Sequence, residues 1–134
     1  RSTLFPYTTL FRSLELSVYP HAWALQYEKN DLEGLARAYS SMFNNVNLKK
    51  MVEYRVNALK DGNCEGAFYH MNRSCKLMSF IQYQMERDVF EQTGIPYAGF
   101  DGCQADPRAF TEAQFETRLQ GLVEVMEQNK GAGK

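Results

Sequence analysis

The stretch His70-Met71-Asn72-Arg73-Ser74-Cys75-Lys76 sets one thiol among polar residues, where an apolar run ends and an amphipathic run begins. A strand-to-helix junction of this kind aims backbone N–H groups, and the positive end of the helix dipole, at whatever the sulfur holds. A cysteine so placed is biased towards thiolate, the form that binds metal. Position alone leaves three roles open for Cys75: metal ligand, nucleophile, or small buried hydrophobe. Arg73 and Lys76 flank it, either to stabilise negative charge or as plain solvated surface. Cys103 lies in Asp101-Gly102-Cys103-Gln104-Ala105-Asp106-Pro107-Arg108, a turn rich in Gly, Asp and Pro. Its thiol could add a ligand to whatever Cys75 binds, and a plain surface cysteine fits equally. Asp106 and Arg108 could bind a polar group or pair with each other across the turn. His70 could donate a proton or serve as an ordinary hydrogen-bonded histidine.

The flanking sequence must position these groups. Leu14 to Lys29 reads as a broken helix or a loop, with Trp23 and Tyr27 able to share a helical face. Asp31 is an N-cap candidate before Leu32, Leu35, Ala36, Tyr39 and Phe43, and Asn44-Asn45 interrupts that pattern. Asn47 is a second N-cap candidate, before Leu48, Met51, Val52, Val56 and Leu59, with Gly62 as the C-terminal stop. Glu65 to Met71 reads as a buried strand. Lys76 to Gln92 follows as a helix with Leu77, Phe80, Ile81, Met85 and Val89 on one face, ended by Gly94 and Pro96. Pro96 to Phe100 is a second strand and Asp101 to Pro107 a polar turn. Thr111 with Gln114 suggests a capping box for a last helix carrying Phe115, Leu119, Leu122 and Met126. A strand–helix–strand unit with a long crossover means parallel strands. Ligands of open parallel sheets sit beyond the carboxyl ends of the strands. Cys75 and Cys103 belong to that edge and Cys64 to the opposite one. Two strands are few for a sheet, so neighbours are expected from elsewhere in a longer polypeptide.

Bulk properties exclude several classes. The 134 residues amount to one domain, and 15 basic against 16 acidic residues give a net charge of −1. That balance offers nothing to nucleic acid or to an anionic membrane. No apolar run is long enough to span a bilayer. Three widely spaced cysteines, with no CxxC pair, fit a reducing cytoplasm better than a secreted disulfide scaffold. No G-x-S-x-G, H-E-x-x-H, G-x-G-x-x-G or P-loop occurs. Arg1 to Ser13 looks like a translated sequencing-adapter oligonucleotide rather than natural protein, and is set aside from the fold. Residues 14–134 then read as the C-terminal piece of a longer open reading frame.

The same residues carry a family resemblance. His70 to Lys76, with Ser79 and Gln82-Tyr83, resembles the third cysteine motif of the 2-hydroxyacyl-CoA dehydratase family, whose distant members include subunits of benzoyl-CoA reductase. Gly94-Ile95-Pro96, Phe100-Asp101-Gly102, Gln104 to Arg108 and Gln114 to Arg118 resemble that family's C-terminal segment, and Asp31 to Ala36 a helix upstream. The resemblance implies an α/β, flavodoxin- or Rossmann-like parallel-sheet domain, here a truncated, helix-rich C-terminal part. It implies a 4Fe–4S cluster held by three cysteines, with Cys75 as the last of them and the other two upstream. Asn72, Arg73 and Ser74 are then candidates to surround and tune the cluster. Cys64 and Cys103 match no ligand position, and close relatives are expected to carry an acidic residue where Cys103 stands.

The implied partners are a second dehydratase subunit, an ATP-dependent activator protein and an acyl-CoA substrate, as in amino-acid fermentation by an anaerobe. The implied reaction is radical. One electron reaches the thioester carbonyl of an (R)-2-hydroxyacyl-CoA, the 2-hydroxyl group is expelled, and deprotonation with return of the electron gives a 2-enoyl-CoA. An iron with only three protein thiolates keeps a position open to act as a Lewis acid. Two rivals remain: a benzoyl-CoA reductase-type subunit, and a noncatalytic α/β module in which Cys75 only packs.

Overall fold

The computed structural model describes Ser17 and residues 24–132. Arg1 to Ser13 and Trp23 lie outside the described residues, and Tyr27 sits in non-helical chain. Among these described residues four helices and two strands follow in the order α1 (Leu32–Ser40), α2 (Leu48–Asp61), β1 (Ala67–Asn72), α3 (Lys76–Thr93), β2 (Tyr97–Gly102) and α4 (Glu112–Ala132), with a 3₁₀ turn at Pro107–Ala109. The strands pair in parallel, from Ala67 opposite Tyr97 to Asn72 opposite Gly102. This is the strand–helix–strand unit that the spacing predicts. Among the described residues the sheet has only these two strands, so each keeps an open edge.

Local chemistry sets the boundaries. Asp31 caps α1 by accepting the Gly34 N–H at 2.8 Å, and Asn47 caps α2 by accepting that of Lys50 at 3.0 Å. Helix α1 stops at Ser40, short of Phe43, where the Asn45 side chain donates to the Tyr39 carbonyl at 2.8 Å. The α2 stop differs from expectation. Gly62 keeps a right-handed conformation, and Asn63 (φ 46°) makes the left-handed step. Asparagine tolerates that region because its short amide bonds locally. At the end of α3, Gly94 does take φ 66°. Strand β2 reaches Asp101 and Gly102, which the sequence assigned to the turn.

Alternation along β1 sends side chains to opposite faces. Tyr69 packs with Met51, Val52 and Val56 of α2 and Met85 and Val89 of α3, the main core. Phe68 turns the other way, stacks on Phe100 at 5.2 Å and meets Phe115 of α4 edge-on at 5.3 Å. Helix α4 therefore covers the second face, with Leu119 and Leu122 buried.

The expected apolar face of α3 is rotated. Ile81, Met85 and Val89 point inward, whereas Leu77 and Phe80 lie on the surface. Gln82 and Glu86 take the inward places and are buried. Gln82 Nε2 donates to Glu86 Oε1 at 2.8 Å and to the His70 carbonyl at 3.2 Å. Buried Arg55 donates to the Met51 carbonyl at 3.1 Å and lies over the Phe43 ring. Burial raises the Glu86 carboxyl above its usual range, against the Gln82 hydrogen bond and the Arg55 charge. It also pushes the Tyr69 hydroxyl up to about 12. The inward face of α3 therefore needs polar groups, because it must satisfy a strand-end carbonyl and neighbour a buried cation.

Candidate functional site

The site is the turn between β1 and α3. Its first residue, Asn72, organises it. The Asn72 carbonyl accepts the Cys75 N–H at 3.0 Å and the Ser79 hydroxyl at 3.0 Å. Its side-chain oxygen accepts the Ser74 hydroxyl at 2.8 Å and the Ser74 N–H at 3.3 Å. Arg73 extends the ladder by one step, donating its N–H to the Gly102 carbonyl at 2.9 Å. Its guanidinium pairs with Asp101 at 3.0 Å, so that charge is already engaged. Lys76 is exposed.

Cys75 is the N-cap residue of α3, extended at φ −103° and ψ 92°, and its side chain makes no capping hydrogen bond. The sulfur of a half-buried cap residue thus stands beside the helix start. Helical bonding begins with the Ser79 N–H to the Cys75 carbonyl at 3.0 Å. The N–H groups of Lys76, Leu77 and Met78 come before it and point out of the helix end. No acidic residue occupies that first turn. The end of α3 therefore remains electropositive and suits an anionic sulfur or what it binds.

Cys103 follows β2 at the same edge and meets different surroundings. Hydrogen bonds from the Ser74 side chain, then from the Ala105 and Asp106 backbone, hold its thiol below the usual range, against burial and the Asp106 carboxylate. Ser74 therefore touches both loops. Its hydroxyl carries one proton, so it can serve Asn72 or a Cys103 thiolate at any moment, not both. Asp106 and Arg108 resolve in favour of mutual pairing. Arg108 Nε and Nη2 reach the Asp106 carboxylate at 2.9 and 2.8 Å, and Asp106 also accepts the Arg108 N–H at 3.0 Å. That guanidinium holds the Asp106 carboxyl below its ordinary value.

The His70 ring stacks on Phe100 at 5.0 Å and joins the aromatic cluster under α4. Cys64 precedes β1 at the opposite end of the sheet, its N–H bonded to the Leu59 carbonyl at 2.9 Å. The expected split of the three thiols between two sheet edges holds. All three are free. Ser79 and Gln82 gain roles that sequence reasoning did not give them. They bond the carbonyls of Asn72 and His70 and fix the end of β1 against α3. The available signal was their position: Cys75, Ser79, Gln82 and Glu86 lie on one helical face.

Among the described residues no three His, Cys, Asp or Glu side chains converge to hold a metal ion. Cys75 fits one thiolate anchor with donors around it, and the rest of a cluster's ligands would come from outside this set. No described helix is long and apolar enough to cross a membrane.

Comparison with known proteins agrees with the motif. A family model described as "2-hydroxyglutaryl-CoA dehydratase, D-component" matches residues 13–126. The (R)-2-hydroxyisocaproyl-CoA dehydratase alpha subunit of Clostridioides difficile is 75% identical over 114 residues, covering 85% of this chain and 28% of that protein. The (R)-2-hydroxyglutaryl-CoA dehydratase subunit alpha of Acidaminococcus fermentans is 46% identical over 112 residues, covering 84% and 23%. A benzoyl-CoA reductase subunit of Thauera aromatica is 26% identical over 106 residues, covering 78% and 24%. The chain thus spans about a quarter of the length of these curated relatives. On the extent of the family match and the identity to its dehydratase subunits, the chain belongs to the family of the 2-hydroxyglutaryl-CoA dehydratase D-component.

Proposed function

We propose that this chain is the part of a 2-hydroxyacyl-CoA dehydratase subunit that contributes one thiolate anchor, Cys75, to a 4Fe–4S cluster. The observation that carries the reading is the 75% identity to a dehydratase alpha subunit. The geometry supports it: a thiol with no side-chain cap bond, at the electropositive start of an 18-residue helix. When bound, the cluster would supply the single electron, received from an ATP-driven activator, that lets an (R)-2-hydroxyacyl-CoA lose its 2-hydroxyl group and become a 2-enoyl-CoA.

This chain's residues have narrower tasks. Cys75 holds iron. The N–H groups of the first turn of α3 offset the negative charge of sulfur. Asn72 locks the turn that aims Cys75, and Ser79 ties Asn72 to the helix. Ser74 and Arg73 border the site as hydroxyl and cation, and Asp101 fixes the position of Arg73. The partners are a second, nonidentical subunit and the activator. The first substrate to try is (R)-2-hydroxyisocaproyl-CoA, on which the 75%-identical relative is named. A benzoyl-CoA reductase-type role is less favoured, at 26% identity.

The test uses the natural-length subunit, its partner and the activator, purified without air. Wild type is expected to contain iron and to convert the 2-hydroxyacyl-CoA to the enoyl-CoA, and Cys75→Ser to lose both. An iron-free wild type, or ring reduction of benzoyl-CoA without dehydration, would overturn the proposal.

A further inference from the structure

The outer face of α3 is apolar between Leu77 and Tyr83, where a solvent-facing helix should be polar, and becomes polar beyond them at Gln84, Arg87 and Glu91. Leu77 is 58% exposed, Phe80 84% and Tyr83 69%. They recur at one-turn spacing and form a stripe. Phe80 lies nine residues from Val89, half a turn round the helix, and so stands directly opposite the core. Single exposed apolar residues need no explanation, but a contiguous stripe does.

We infer that this stripe is an internal docking surface, covered by the remainder of the same polypeptide in a chain of the relatives' length. Three observations choose that occupant. The stripe offers roughly 400 Å² of apolar surface, judged from three large side chains at these exposures. A stable interface between separate chains takes about 800 Å² from each partner. A second copy or a second subunit would therefore be held poorly by it, whereas a tethered segment docks at high effective concentration and needs less area. The matched relative has most of its length beyond the region this chain covers. Among the described residues both strands keep an open edge, so the sheet also calls for neighbours from that same polypeptide. The stripe begins two residues after Cys75, so the segment that covers it also walls the thiol from water. This docking surface follows from the length of the relatives and not from the iron–sulfur reading.

Hydroxyl-radical footprinting of the natural-length subunit, purified without its partner subunit, tests this side chain by side chain and needs no variant. Phe80 and Tyr83 should oxidise at least about tenfold more slowly than in a synthetic peptide of the α3 sequence. Peptide-like rates in the isolated subunit overturn the inference, whether they persist in the complex or fall only when the second subunit is added. Iron is measured on the same preparations. Protected Phe80 in an iron-free subunit upholds the docking surface while removing the cluster.

Discussion

Two loops leave one edge of the sheet, each carrying a cysteine just past a strand, and they become chemically unlike. The loop after β1 runs directly into a long helix, whose first-turn N–H groups point outward, and the Cys75 side chain takes no cap bond. The loop after β2 turns back on itself, closed by the Asp106–Arg108 pair and a 3₁₀ turn. The Ser74 hydroxyl and the Ala105 and Asp106 N–H groups turn to its thiol, at Cys103. A thiol is available for an external ligand when the element that follows it leaves donors unused, and is claimed locally when a tight turn consumes them.

The sharpest way to break this contrast is to remove each thiol in the natural-length enzyme. Cys75→Ala should lower dehydration by at least about a hundredfold and the iron held by this subunit severalfold, while Cys103→Ala keeps both within about twofold. The reverse order would make Cys103 the ligand. Next in size is Gly102→Ala, at the end of β2. A Cβ there would stand 2.7 Å from His70 Nε2, and the stacked ring has little room to move. Urea unfolding should show a loss of about 2 kcal/mol.

Asn72→Ala should cost about 1 kcal/mol in the same assay, since the carbonyl contacts to Cys75 and Ser79 survive and only the side-chain bonds to Ser74 vanish. Ser74→Ala sharpens the comparison through pH. It removes the leading cause of the depressed Cys103 pKa. Site-resolved alkylation of Cys103 should therefore need higher pH, and its rate at pH 7 should drop severalfold. The linked stability has a definite sign. Folding lowers this pKa, so the thiolate stabilises fully above the unfolded value of about 8.5, and that contribution fades as pH falls through the folded value. Smallest is Arg73→Ala. Its ion pair is largely exposed, and stability should change by no more than about 0.5 kcal/mol.

Much of this was legible in the chain. Asp31 and Asn47 announce helix starts because a short polar side chain can satisfy orphan N–H groups from the N-cap position. Gly94 announces a stop because glycine enters the left-handed region without strain. These signals are local, and so is the placing of Cys75 between strand and helix. The left-handed step at Asn63 rather than at Gly62 shows the limit of a residue-type rule. The inward turn of Gln82 and Glu86 shows another: periodicity ranks α3 positions by hydrophobicity, whereas the fold ranks them by what they face. They face the His70 carbonyl and the buried Arg55, both supplied by distant sequence.

Spacing along the chain is enough to read the parallel strand–helix–strand order, the thiol at the head of α3 and the family. That Ser74 reaches Cys103, that Arg73 is engaged by Asp101 and that Phe80 faces outward emerges only in three dimensions. One cause is common to all three. Hydrogen bonds, ion pairs and burial depend on distances in space, and these are set by how β1 and β2 align and how α3 rolls against them, which no local pattern encodes.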